Sequence, residues 1–198
     1  MQTTTNIAVD IGNSAIKLAL KTAETLHEYS LPIDNSDWQV SVVHWAQTQA
    51  GPGELAWHIA SVHPQASQIL MGHLRTICPT ANVHLVTWRD IPMEPNVDEP
   101  DRLGIDRLIS AYAASLHANP PLIVVDAGSA ITVDLVAKDG RFSGGAILPG
   151  LSMQFISLAK GTANLPQLDH MDTEPQYPRK KHTRCDFQRC SHRSDCRH

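Results

Sequence analysis

The chain has 198 residues, 42% of them hydrophobic, and a formal net charge of −4 at pH 7. It can therefore bury a substantial core, and disorder of the whole chain is excluded. Acids and bases interleave along most of the length, leaving no basic stripe for nucleic acid or an anionic membrane. No apolar run approaches the roughly 18 to 20 residues that cross a bilayer, and the polar start Met1–Thr5 lacks the basic and apolar regions of a signal peptide. A cytoplasmic protein is expected. Cys185, Cys190 and Cys196 crowd the end while Cys78 stands alone, a spacing that builds no disulfide framework, so reduced thiols are expected.

Ile7–Val9 is apolar and ends in Asp10, Gly12 supplies a turn, and Ala15–Leu20 resumes the apolar pattern, which reads as strand, tight turn, strand. A third strand follows through Thr25–Leu31, then a polar helix around Ser36–Ala50, a buried strand at Leu55–Val62, a helix from Pro64 to Ile77 and a strand at Val83–Thr87. Asp90–Asp101 is rich in Pro and acids, has no apolar period, and reads as a loop joining two halves. Gly104–Leu116 carries Leu108, Tyr112 and Leu116 at helical spacing, and Leu122–Val125 is an apolar strand ending in Asp126. The opening pattern then returns. IAVDIGNSAIKLAL, residues 7–20, and IVVDAGSAITVDLV, residues 123–136, share an apolar strand, an Asp, a Gly two positions later, a small polar residue and a second strand. Such a duplication predicts two related lobes with their Asp-Gly turns on opposite sides of one cleft.

Turns of this kind suit phosphate: glycine lets the backbone approach an anion, amides and hydroxyls donate to it, and a carboxylate at the strand end can hold Mg²⁺. Asp10, Gly12, Asn13, Ser14 and Lys17 form the first set, and Asp126, Gly128, Ser129, Thr132 and Asp134 the second. One Asp-Gly turn is ordinary turn chemistry; two at matched positions of a duplicated unit point to a nucleotide. Between them LGIDR, Leu103–Arg107, opens a helix. Alone, its Asp is a cap and its Arg a solvated charge. Set between two phosphate turns, Asp106 can take a proton from a substrate hydroxyl and Arg107 can grip a substrate carboxylate.

DIGNSAIK at 10–17, ASVHP at 60–64, GIDR at 104–107, DAGSAITVD at 126–134, GGAILPG at 144–150 and TANLP at 162–166 occur in the order of the type III pantothenate kinases, which the chain resembles over about residues 6–184. The resemblance implies an α/β fold of duplicated, ribonuclease H-like lobes of the actin-like ATPase superfamily, with mixed sheets flanked by helices. It implies lobes at 1–103 and 104–184, the second incomplete, and an aberrant or disordered tail at 185–198. The implied reaction is ATP-dependent phosphorylation of pantothenate to 4′-phosphopantothenate, the entry to coenzyme A. ATP would lie against Asp10, Ile11, Gly12, Asn13, Ser14, Ala15, Ile16 and Lys17, with Asp10 positioning Mg²⁺ and Ser129 standing where the family has a nucleotide-contacting threonine. Asp106 would be the general base, Gly104, Ile105, Asp106 and Arg107 would line the pantothenate site with Thr183, and Asp126 would hold K⁺ or NH₄⁺. Family members are commonly homodimers. The alternatives are a non-catalytic regulatory relative on the same fold, or a kinase for another small hydroxy acid.

The chain departs from the family twice. Val97 occupies a position where many members have a tyrosine that packs on pantothenate, so substrate packing differs there. The tail RCDFQRCSHRSDCRH, residues 184–198, has almost no core-forming residues, and its Cys and His spacings match no common zinc motif. A disordered tail is one reading. A frameshift is sharper: synonymous codons for Arg184–His198, read one base later, encode an apolar small-residue helix that matches the family's continuation after Thr183.

Overall fold

The computed structural model describes residues 4–162. Five strands build its first sheet: β1 (Thr4–Ile11), β2 (Ala15–Lys21), β3 (Leu26–Pro32), β4 (Glu54–Ser61) and β5 (Asn82–Leu85), in the order β3-β2-β1-β4-β5. The first three form an antiparallel meander, β4 runs parallel to β1, and β5 parallel to β4. Period-two alternation divides the faces of β1: Ile7, Val9 and Ile11 are buried, while Ala8 and Asp10 lie on the other side. Two helices cover the buried face. From α1 (Trp38–Ala50) come Val42, Val43 and Ala46, and from α2 (Pro64–Ile77) Ala66, Leu70 and Leu74, all in one core with Leu18, Trp57 and Ile59. Each large apolar side chain buried here contributes about 1.5–3 kcal/mol.

After β5 come single 3₁₀ turns at Trp88–Asp90 and Pro100–Arg102, then α3 (Ile105–Ser115), β6 (Leu122–Ala127), β7 (Ala130–Val136), β8 (Phe142–Pro149) and α4 (Leu151–Gly161). The second sheet has the order β6-β7-β8, repeating the meander of β1, β2 and β3. This is the expected mixed α/β architecture, with a second lobe that is incomplete among the described residues: three strands against five. The sequence pattern predicts neither β8 nor α4.

The acidic, Pro-rich segment 90–101 is more than a joining loop. Pro95 bridges Phe142 of β8 in parallel, Asn96 N donates to Phe142 O at 2.7 Å, and Phe142 N donates to Glu94 O at 3.0 Å. Met93 from this segment is buried with Leu108, Ala111, Val136 and Phe142 in a second core. Met93 and Pro95, set among acids and further prolines, have no period to read, yet backbone pairing carries them inward.

The two meanders also differ in turn length. Gly12 N donates to Ala15 O at 3.0 Å, whereas Gly128 N donates to Ala130 O at 2.9 Å. The second turn is one residue shorter, so the ungapped comparison of the two strings fails beyond it. Ala15 matches Ala130, Leu18 matches Val133, and Ala19, not Leu18, matches Asp134. A one-residue slip exchanges the faces of a strand, which places Asp134 opposite the side that Leu18 uses for core packing.

The chain divides into two compact units. Among the described residues, one comprises 4–126 plus Thr132–Ile147, and the other comprises Ala127–Ile131 and 148–162.

Candidate active site

Asp10 is the penultimate residue of β1, on the face away from the helices, and is paired across the sheet with Lys17. Burial raises its pKa above the ordinary 3.8, Lys17 opposes that rise, and the charges of Asp106 and Asp126 add to it. Three carboxylates from β1, the first turn of α3 and the end of β6 thus converge within one compact unit. Asp10 and Lys17 also line a cavity of about 640 Å³ over the sheet, with Glu28, Ser30, His58, Ala60 and Ile109.

In the first turn, Asn13, Ser14 and Lys17 are exposed, while Ile11 and Ile16 are wholly buried and can offer a ligand only their backbone. The turn is held from both sides: Val62 N donates to Ile11 O and Ile33 N to Ser14 O, each at 3.1 Å. Gly12 and Ala15 are half-buried between these anchors.

At the start of α3, Ile105 is buried and fixes the helix to its neighbours. Gly104 O accepts from Arg107 N at 3.2 Å, and Asp106 Oδ1 accepts from the same amide at 2.8 Å. Asp106 Oδ2 accepts from no donor among the described residues, so one oxygen is tied down and the other is open to a hydroxyl proton. Gly104 and Ile105 line a second cavity, about 480 Å³, with Ser61, Val62 and Pro64. The ASVHP strand end and the GIDR helix start therefore meet, as two distant motifs of one site should. Val97 is half-buried against the second core.

Arg107 is not the solvated charge that an isolated motif suggests. Its side chain is 15% exposed, and Nε donates to Asp134 Oδ1 at 3.0 Å and Oδ2 at 3.2 Å, with Nη2 donating to Oδ1 as well. The guanidinium carbon lies 5.7 Å from the Phe142 ring centre. Asp134 therefore does not join the second phosphate turn. The available signal was an acid inside the apolar strand ITVDLV, since a buried carboxylate needs a partner.

The second turn is braced from within its own unit. Gly150 N donates to Ser129 O at 3.1 Å, and a Cβ on Gly150 would overlap the carbonyl oxygens of Gly128 and Ser129. The PG of GGAILPG is thus a close backbone approach that only glycine permits. Asp126 and Ser129 are exposed. Thr183 and the tail from 184 lie outside the described residues. Among the described residues, no three His, Cys, Asp or Glu side chains lie close enough to hold a metal ion by themselves. Nucleotide-bound Mg²⁺ asks for less, one or two carboxylates with water and phosphate oxygens, and Asp10 fits that demand. No described helix is long and apolar enough to cross a membrane.

The sequence profile of the type III pantothenate kinases matches residues 6–186. A type III pantothenate kinase of Rhodopirellula baltica is 34% identical over 186 residues, covering 82% of this chain and 68% of that protein. Another from a Sulfurihydrogenibium species is 28% identical, covering 82% and 67% respectively. The chain thus spans about two thirds of the length of these relatives. Among solved structures, a Baf family transcriptional activator from Campylobacter jejuni is similar at 23% identity and a TM-score of 0.48, covering 86% of this chain and 68% of that one.

Proposed function

The chain belongs to the type III pantothenate kinase family, transferases that use ATP to phosphorylate pantothenate in coenzyme A synthesis, and from that premise we propose that Asp10, Asp106 and Asp126 form its catalytic centre. The observation that carries the assignment is the convergence of these three carboxylates from three separate segments, close enough to raise the pKa of Asp10. Like charges gathered this way, with Lys17 as the compensating cation, favour a site that receives further cations.

Asp10 would hold Mg²⁺ and Asp126 a monovalent cation, K⁺ or NH₄⁺; bound there, the ions neutralise charge on the phosphates during transfer. Residues Asp10 to Lys17 present backbone amides, the Asn13 and Ser14 side chains and the Lys17 ammonium to the ATP phosphates, and Ser129 supplies a further hydroxyl. Asp106 takes the proton from the primary hydroxyl of pantothenate through Oδ2, while the Arg107 amide holds Oδ1. Gly104, Ile105 and Arg107 line the substrate side, joined by Thr183. We read residues 1–103 and 104–184 as the two lobes, and the working form as a cytoplasmic homodimer. The regulatory alternative is not favoured, because the curated relatives are kinases.

The test is pantothenate-dependent ADP release with Mg²⁺ and K⁺ present. Asp106→Asn should lower the rate by about 10²- to 10⁴-fold, the usual worth of a positioned base, with little change in ATP affinity. ADP release indifferent to pantothenate, or an Asp106→Asn variant as fast as its parent, would sink the assignment.

A further inference from the structure

Resting on the pantothenate reading, we propose that Asp134 is a positioning residue, which sets the guanidinium of Arg107 so that only one edge of it serves the substrate. Four observations carry this. Asp134 is 2% exposed and lies in the middle of an apolar strand, where an unpartnered carboxylate would be very costly. It takes up one whole edge of the Arg107 fork, receiving Nε through both oxygens and Nη2 through Oδ1. The planar fork is rigid, so occupying that edge fixes the direction of the remaining edge, Nη1 with Nη2. Nη1 has no acceptor among the described residues, so its hydrogens and the outer hydrogen of Nη2 form the edge left for a ligand.

The surroundings are built for this pairing. Phe142, itself wholly buried, lies beside the guanidinium. A Cβ on Gly145 would overlap the Val133 carbonyl oxygen and come within 2.6 Å of Asp134 Oδ1, so the GG of GGAILPG keeps open the space the carboxylate occupies. The turn that is one residue shorter than its counterpart turns Asp134 to the face it uses. Arg107 thus offers a substrate carboxylate one directed edge, Nη1 with Nη2, where a free arginine could turn either edge toward it.

A double-mutant cycle on pantothenate affinity, read by calorimetry in the presence of a non-hydrolysable ATP analogue, tests the proposal. Arg107→Ala and Asp134→Ala should each weaken pantothenate about 10- to 100-fold, the worth of a charge-assisted hydrogen bond, and the double variant should be no weaker than either. Affinity for the ATP analogue should stay within about twofold, a split that general loss of structure would not produce. Where Asp134→Ala fails to fold, Asp134→Asn keeps the shape and one acceptor and should lose less affinity than Arg107→Ala. Additive losses, or an Asp134→Asn variant that binds pantothenate as the parent does, would overturn the role of Asp134 alone. A parent chain that binds the ATP analogue but not pantothenate would overturn the substrate reading and the inference with it.

Discussion

Asp10 sits where burial and two neighbouring carboxylates work against its ionisation, and Lys17 only partly offsets them. Its folded pKa lies above the ordinary 3.8, so as pH rises the unfolded chain gives up this proton first. Below about 3.8 the group is neutral in both states; stability is then lost as pH climbs from there through the folded value. Asp10→Asn removes that loss. The variant should melt at a higher temperature than its parent at neutral pH, with the difference vanishing below about pH 4, while kinase activity falls if Asp10 holds Mg²⁺ as proposed. Thermal melts across a pH series check the sign, and a lower melting temperature for the variant at pH 7 would contradict it. At this scale the sequence motif named Asp10, Asp106 and Asp126 because Asp-Gly turns and a helix-opening Asp are local patterns. It assigned Asp134 to the wrong company, because the partner of a buried acid is a distant residue.

Among the elements, the strand–turn–strand units were legible from apolar alternation, and α2 falls on the span expected from Pro64 to Ile77. Boundaries elsewhere shift by one to three residues, as at β1, which starts at Thr4 and not Ile7, and at α1, which starts at Trp38 and not Ser36. The turn lengths were not legible, since an ungapped likeness between two strings hides a missing residue. The second turn nevertheless depends on a contact one can test. Gly150→Ala would push its Cβ against the carbonyl oxygens of Gly128 and Ser129, and overpacking of this kind costs about 1–3 kcal/mol. The expected result is ATP binding weakened about 10-fold or more by calorimetry, with pantothenate affinity little changed. Unchanged nucleotide affinity would mean that Ser129 does not serve the phosphates.

For the molecule as a whole, stability rests on the core under the first sheet, where Leu70 and Leu74 of α2 meet Ile7, Trp57 and Ile59 with no exposure. Leu70→Ala should cost about 2–5 kcal/mol, a large share of the 5–15 kcal/mol that typically holds a domain. Urea denaturation should show a lower midpoint without a change of slope. The face of the second sheet that matches this core is open among the described residues: Ile123 and Val125, at the positions of Ile7 and Val9, are 72% and 61% exposed. The sequence by itself determined the family, the mixed α/β class, the duplicated meander and the three acids, since each is written in local pattern and spacing. Tertiary structure alone decided that those acids converge, that segment 90–101 pairs with β8, and that Asp134 holds Arg107. These depend on contacts between residues far apart in the chain, and on a strand face set by a single residue in a turn.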